Sequence, residues 1–376
     1  MHPFLTKVGS FVRREAVLVI SLVCALLSML AVPPDAAYAG YIDLRVLCLL
    51  FCLMAVVAGL QQCGLFTVLA QCLLTGRKQL RLLYLALVLL PFFCSMLITN
   101  DVALITFVPF TVLVLSHIGR MDALIRVVVL QTLAANLGSM ATPVGNPQNL
   151  FLCSYYGLSF GAFLRVVLPL TLVSLLALSA AALWTRGETI EITFPKRERI
   201  QQPRLFVLLC LLFALCLLSV VHVLHYGIVT VAVALSLLLF ARGLFARVDY
   251  ALLLTFVGFF IFAGNIGRVE AVRNVLEMLL GRSTYWTSVL ASQIISNVPA
   301  AVLLSGFTDN WSALLSGVDV GGLGTPIASL ASLISLKLYL RAENASLPRY
   351  LLVFTLANIA GLVVLSAAAF LFGCVG

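Results

Sequence analysis

The sequence predicts an all-α polytopic membrane protein made of two inverted repeats, with about nine crossings, two re-entrant hairpins and two broken helices. Three observations carry that reading. Of the 376 residues, 62% are hydrophobic and only 10% charged, with a mean hydropathy of +1.15, whereas a water-soluble domain has about 45–50% apolar and about 25% charged residues. Lysine and arginine gather in short polar segments between apolar runs long enough to cross a bilayer. The same short motifs also occur twice in the same order. Disorder, collagen and a simple coiled coil are excluded by composition, and the ten-residue alternation of an outer-membrane barrel is absent.

The elements follow from apolar runs and their breakers. Lys7, Arg13 and Arg14 precede an apolar run from Ala16 to Val32. It is read as a retained first helix near 16–33, although Ala37-Tyr38-Ala39 resembles a signal-peptidase site. A second helix covers about 44–62. The connection holds Pro33, Pro34, Asp35 and Asp43 and no basic residue, so it lies outside; Arg77, Lys78 and Arg81 place the next loop in the cytoplasm. Residues 82–116 are interrupted by Thr99-Asn100-Asp101 and are followed by another basic loop with Arg120 and Arg126. With both flanks cytoplasmic, the segment enters and returns as a hairpin with its tip at Thr99 to Asp101.

A helix from about 123 runs into Ala141-Thr142-Pro143-Val144-Gly145-Asn146-Pro147-Gln148-Asn149. Proline removes a donor and clashes with the preceding turn, so this helix is broken; it resumes at Leu150, and a span follows at 162–184. The hydrophilic stretch 186–204, with Arg186, Lys196, Arg197, Arg199 and Arg204, divides the chain. Spans follow near 205–224, 227–241 and 249–266. A second hairpin over 284–307 has Ser296-Asn297-Val298-Pro299 at its tip, a second broken helix over 311–337 contains Gly321-Gly322-Leu323-Gly324-Thr325-Pro326, and a last span covers 349–372. The divisions are 1–43 (first helix and outer loop), 44–185 (first repeat), 186–204 (basic linker), 205–248 (connecting helices) and 249–376 (second repeat). This topology puts the amino terminus in the cytoplasm and the carboxyl terminus outside a cell's inner, cytoplasmic membrane.

The repeat rests on four matches. Ile98-Thr99-Asn100 matches Ile295-Ser296-Asn297, and Ala141-Thr142-Pro143-Val144 matches Gly324-Thr325-Pro326-Ile327. In the latter register Asn146 falls on Ser329 and Asn149 on Ser332. Ala58-Gly59 pairs with Ala263-Gly264, and each is followed by a short amphipathic arm ending in Leu-Leu before a basic residue. The span with Gly59 runs inward and that with Gly264 outward, so the repeats are inverted, as in many secondary transporters. Non-helical backbone at membrane depth is tolerated only when buried or lining a cavity, so the paired breaks predict a binding site. Half-helix amino termini attract anions there, and freed carbonyls with Asn, Ser and Thr oxygens suit sodium.

These motifs, with Gly138-Ser139-Met140 leading into Ala141 to Asn149, resemble the ion transporter superfamily. It contains the arsenite permeases, D-type sodium/proton antiporters, citrate transporters and divalent-anion/sodium symporters. The resemblance covers about residues 44–370. It implies a dimerising scaffold domain and a transport domain that moves like an elevator, hence a homodimer in a lipid bilayer. It further implies two sodium-binding clamshells, one of Thr99, Asn100, Thr142, Pro143, Gly145 and Asn146, the other of Ser296, Asn297, Gly324, Thr325, Pro326 and Ser329. Substrate contacts are expected from Thr99, Asn100, Asn146, Asn149, Ser296, Asn297, Thr325 and Ser329. Cation contacts are expected from Thr99, Asn100, Asp101, Thr142, Pro143, Gly145, Asn297, Gly324 and Pro326. In the carboxylate-transporting branch both tips read Ser-Asn-Thr; here they read Thr-Asn-Asp and Ser-Asn-Val, a departure that weakens the dicarboxylate reading and the second sodium site.

Asp101 is read as the only acidic residue deep in the membrane. An intramembrane carboxylate is a functional candidate, as a sodium ligand or a proton carrier, and Asp also caps helix starts. No lysine or arginine lies at midplane depth, so an anionic substrate depends on backbone dipoles, Asn and Thr donors and a cotransported sodium ion or proton. His117, His222 and His225 sit near loops and pack at the interface. The ten cysteines include no Cys-x-x-Cys and serve as small hydrophobes. The net charge of +9 belongs to orienting loops rather than to nucleic-acid binding. No nucleophile, base and metal-ligand cluster of an enzyme is present, and no cofactor is expected beyond the coupling ion. The function expected is coupled secondary transport of a small anion, the alternative being a sodium/proton antiporter or an arsenite/antimonite efflux permease.

Overall fold

The computed structural model describes residues 15–185, 188–192, 197–343 and 345–374; Lys7, Arg13, Arg14, Arg186 and Lys196, which entered the orientation argument, lie outside these. The chain opens with α1 (Ala16–Ala31), then α2 (Leu44–Gln62), a short arm α3 (Leu65–Leu74), a hairpin of α4 (Leu80–Cys94) and α5 (Asn100–His117), a broken helix of α6 (Leu124–Ser139) and α7 (Pro147–Tyr155), and α8 (Phe160–Leu183). After α9 (Pro203–Val220) and α10 (Tyr226–Phe240), the same order returns: α11 (Tyr250–Ile266), an arm α12 (Glu270–Arg282), a hairpin of α13 (Thr284–Ile295) and α14 (Asn297–Ser305), a broken helix of α15 (Trp311–Gly321) and α16 (Leu330–Tyr339), and α17 (Leu347–Leu371).

Local chemistry sets the helix ends. Asp43 and Asp249 begin α2 and α11, their Oδ1 atoms accepting the N–H groups of Val46 and Leu252 at 3.0 and 2.9 Å. Ser159, Ser283 and Asn310 cap α8, α13 and α15 in the same way. Each repeat's first helix turns sharply into its arm: Gly64, with φ +83°, makes the turn after α2, and α12 bends 99° from α11.

Among the described residues six helices are long and apolar enough to cross a membrane, or seven if α11 and α12 count as one. The expected hairpins and breaks fall on non-helical residues at 95–99, 140–146, 296 and 322–329. One feature departs from the all-α expectation. The basic linker is partly a strand, β2 (Thr189–Ile192), antiparallel to β1 (Gly76–Gln79), with Gly76 opposite Ile192 and Gln79 opposite Thr189. Gln201 N–H also donates to the Cys63 carbonyl at 2.9 Å, so the linker is tied to the first repeat rather than free in solution.

Each hairpin packs on its own broken helix, α4 on α6 and α13 on α15, and the hairpins also cross over: α5 packs on α16 and α14 on α7. The close approaches require glycine. A Cβ on Gly138 would strike the backbone of Phe92, and one on Gly321 would lie 2.9 Å from the Ser292 Cβ and 3.0 Å from the Val289 Cα. Around this core, α1 packs on α11, while α9 and α10 pack on α2. Exposed Leu30, Leu176, Leu239, Phe370 and Leu371 give the exterior an apolar character suited to lipid.

The packing predicts that Gly138→Val costs about 1–3 kcal/mol, the range for overpacking, and lowers the melting temperature of the detergent-purified protein. Gly161→Ala, with nothing within 4 Å of the added methyl, leaves it unchanged. Equal melting of the two variants would contradict the described contact.

Candidate functional site

The two breaks are built alike. After α6 and α15 end, Thr142 Oγ1 donates to the Met96 carbonyl and Thr325 Oγ1 to the Gln293 carbonyl, 3.2 Å away, so each break is fastened to the first limb of its own hairpin. Gly145 N–H returns to the Thr142 carbonyl at 3.3 Å and Ala328 N–H to that of Thr325 at 3.1 Å. Asn146 and Ser329 then start α7 and α16 from nearly the same extended backbone, φ/ψ −138°/141° and −140°/134°.

The second break carries extra fastening. Gln293 Nε2 donates to the carbonyls of Gly321 and Leu323 at 2.8 and 2.9 Å, and its Oε1 accepts the Thr325 N–H at 2.9 Å. Gly324 has φ +108°, and a Cβ there would collide with Gln293. At the tip, Ser296 takes φ 74° and ψ 155°, a region almost reserved for glycine. It is held there by the Ala328 carbonyl, which accepts both Ser296 Oγ at 3.2 Å and Asn297 N–H at 3.0 Å.

Between the breaks lies a buried polar centre. Asn136, on α6, accepts at Oδ1 from Asn100 Nδ2 at 2.9 Å and from Ser329 Oγ at 3.0 Å, and its Nδ2 donates to Ser332 Oγ at 3.4 Å. Asp319, on α15, accepts at Oδ1 from Gln148 Nε2 at 3.2 Å. The Asn149 amide, with its nitrogen turned toward the carboxylate, donates to Oδ1 at 2.8 Å and Oδ2 at 3.1 Å. The register that pairs Thr142 with Thr325 and Asn149 with Ser332 also pairs Asn136 with Asp319. The Asn136–Ser332 and Asn149–Asp319 contacts are therefore one link, made twice with the halves exchanged.

Of the residues expected in the site, Asn100 and Ser329 join this network around Asn136, and Asn149 joins it at Asp319. Asn297 is buried beside Gly322. Thr142 and Thr325 hold the breaks together, and Thr325 is exposed, with both its hydroxyl and its N–H on Gln293. Pro143, Gly145 and Asn146 are buried, while Thr99, Gly324 and Pro326 are half-buried. Asn146 Oδ1 is buried without a hydrogen-bond partner, an oxygen free to meet a cation or a donor group.

Asp101 sits in the first turn of α5, with Oδ1 buried and unpartnered. It makes no capping bond; instead its N–H is taken by Asn100 Oδ1 at 3.0 Å. Its charge still favours the positive end of α5.

Asp101 is not the only deep carboxylate. Asp319 is 3% exposed and is the one charged residue among the buried described residues. Sequence reasoning missed it, along with Asn136, Gln148 and Gln293, although extending the repeat register six residues upstream would have set Asp319 against Asn136. Among the described residues no ion pair reaches either carboxylate; the pairs at Arg120, Arg268 and Arg273 are peripheral. His225 Nδ1 accepts the Gly227 N–H at the start of α10, and His222 meets Arg45.

Comparison with known proteins places this architecture. The family model described as citrate transporter matches residues 4–331. An uncharacterized transporter of Methanocaldococcus jannaschii is 34% identical over 300 residues, 78% of this chain and 81% of the relative. The inner membrane protein YbiR of Escherichia coli is 33% identical over 304 residues, 79% of this chain and 80% of the relative. The silicon efflux transporter LSI3 of Oryza sativa subsp. japonica is 37% identical over 141 residues, 38% of this chain and 28% of the relative. With a match over most of its length, this chain belongs to the citrate transporter family and is a multi-pass membrane transporter.

Proposed function

We propose that the protein is a secondary active transporter that moves a small anion, a carboxylate or an inorganic oxyanion, across the cytoplasmic membrane, coupled to sodium or protons. The observation that carries this reading is the polar centre where the first hairpin tip, through Asn100, and both broken helices, through Gln148, Asn149 and Ser329, meet Asn136 and Asp319. Amide and hydroxyl donors, with the positive ends of α7 and α16, supply what an anion needs where no cation is buried among the described residues. The unpartnered oxygens of Asn146 and Asp101 offer acceptors to a coupling ion.

In this reading the two halves are inverted repeats crossing the membrane about nine times. The crossed packing of α5 on α16 and α14 on α7 supports such a relation, since a two-fold axis generates each contact from the other. The hairpins and broken helices form the part that moves, against α2, α9, α10 and α11, in a homodimer. A cavity of about 570 Å³ lined by Tyr41, Asp43, Phe151, Ser154 and Phe307 lies between the two groups of helices, and the proposed topology sets it on the outer side. The competing reading, a sodium/proton antiporter or an arsenite/antimonite efflux permease, is favoured by one observation: among the described residues the centre holds the Asp319 carboxylate and no basic residue.

In proteoliposomes Asn100→Ala and Asn297→Ala are each expected to abolish transport while leaving a monodisperse, cooperatively melting protein; full transport by both overturns the site. Asp101→Asn is expected to change the cation or pH dependence of transport, and an unchanged profile leaves Asp101 with a helix-dipole role alone. A thermal-shift screen of carboxylates and oxyanions with sodium, with potassium or at lowered pH identifies the ligand pair. At a hundredfold excess over Kd, stabilisation is about 2.7 kcal/mol, and stabilisation by no anion under any of these conditions contradicts the anion reading.

A further inference from the structure

The contact between Asp319 and Asn149 has two self-consistent arrangements, and they differ by one proton. One terminal atom of the Asn149 amide lies 2.8 Å from Asp319 Oδ1 and 3.1 Å from Oδ2. The other lies 3.4 Å from the Met140 carbonyl and 3.5 Å from that of Thr142, just beyond the end of α6, where the Thr142 carbonyl also accepts the Gly145 N–H. An amide has one donor end and one acceptor end. When Asp319 is ionised the nitrogen must face it, and the amide oxygen is left against two carbonyl oxygens. When Asp319 is protonated, its O–H donates to Asn149 Oδ1, for which 2.8 Å is an ordinary O–H···O separation. Asn149 Nδ2 then donates, at long range, to the Met140 and Thr142 carbonyls. Each charge state of Asp319 therefore selects one orientation of Asn149, and each orientation leaves a different set of partners satisfied.

The surroundings favour a proton over a fixed counter-ion at this position. A buried carboxylate is costly unless paired, and the donors at Asp319 are neutral amides of Gln148 and Asn149. The helices packed against α15 are α6, α7, α8, α13, α14 and α17. Of their cations, Arg126 spends its donors on the carbonyls of Ala181 and Trp184, and Arg165 and Arg349 are exposed. Of their other titratable groups, Cys153 on α7 is within electrostatic reach of Asp319. Tyr155, on α7, packs against the rings of Phe151 and Tyr156, Tyr156 just beyond α7 bonds the carbonyls of Ser305 and Thr308, Tyr285 on α13 bonds Ser366, and Tyr350 on α17 stacks on Tyr339; α14 carries none.

We propose that Asp319 is a proton-binding site of the transporter, and that Asn149 transmits its occupancy to the first helix break by exchanging the two ends of its amide. Resting on the transporter reading above, this names the proton as a ligand of the polar centre and Asn149 as the positioning residue that answers to it. When the proton leaves Asp319 for water, only the O–H bond is broken. The Asn149 amide turns about its last torsion, the Met140 carbonyl loses the Asn149 donor, and the Thr142 carbonyl keeps the Gly145 N–H. Loading at one half of the molecule is thus felt as a change of hydrogen bonding in the backbone of the other.

Infrared difference spectroscopy of the full-length protein in lipid, stepped through pH, tests this without any substrate. The wild type is expected to show a carboxylic-acid C=O band that is lost as pH rises. That band is absent from Asp319→Asn, retained in Asp101→Asn and shifted in frequency in Asn149→Leu. A wild-type band left unchanged in Asp319→Asn, or the absence of any titrating band over the pH range of the folded protein, overturns the proton site; a band unmoved in Asn149→Leu overturns the amide coupling. If Asp319→Asn does not fold, Asp319→Glu keeps the acid and must displace the band, and an unmoved band overturns the assignment. Because the readout needs no transport, a titrating band in a protein that carries no anion in liposomes would sink the functional reading alone, and transport without such a band would sink the proton site alone.

Discussion

Backbone that leaves the helix inside an apolar chain must find its hydrogen bonds within the protein, because lipid offers none. That requirement organises the rest of the structure. Hydrogen bonds tie each break to its neighbouring hairpin: Thr142 donates to the Met96 carbonyl and Thr325 to that of Gln293, and at the second break the Gln293 amide also seals the carbonyls of Gly321 and Leu323. A broken helix is therefore stable only beside its hairpin, and the two must approach to backbone contact. Gly138 and Gly321 permit that approach.

The same scarcity of partners concentrates polarity in one place. A chain with 10% charged residues has few groups to spend at depth. Asp319, the one charged residue among the buried described residues, lies where α6, α7, α15 and α16 exchange links between the halves. Asn136 and Asp319 occupy corresponding positions, yet one is neutral and the other is an acid. Two halves with the same order of elements thus enclose a centre that is chemically asymmetric: the first half presents amides to the second, and the second presents a carboxylate to the first. The proposed coupling rests on this link, because a change on one side alters hydrogen bonds on the other.

Much of this was legible in the sequence, for identifiable reasons. Helix starts carry their own caps at Asp43, Ser159, Asp249 and Ser283, and Pro143, Pro147, Gly324 and Pro326 interrupt runs that would otherwise be continuous, so spans, hairpin tips and breaks lie where local chemistry puts them. The pairing of Gly76–Gln79 with Thr189–Ile192 was not legible, because two four-residue strands over a hundred residues apart carry no distinctive periodicity. Asp319 was missed for a different reason. It lies in an apolar stretch between Val318 and Val320, and its burial depends on Gln148 and Asn149, which arrive from the other half of the chain. Asp101 was legible as an exceptional carboxylate, but the bond at its helix start is made by Asn100 instead.

The account stands on the polar centre being a physical link between the two halves. The most direct measurement is a double-mutant cycle on the unfolding free energy of the lipid- or detergent-embedded protein, using Asn136→Ala and Ser329→Ala singly and together. Residues sharing a buried hydrogen bond are expected to couple by about 0.5–3 kcal/mol, whereas independent sites add to within about 0.3–0.5 kcal/mol. A coupling in the first range is the result the structure predicts, and additive losses would contradict it.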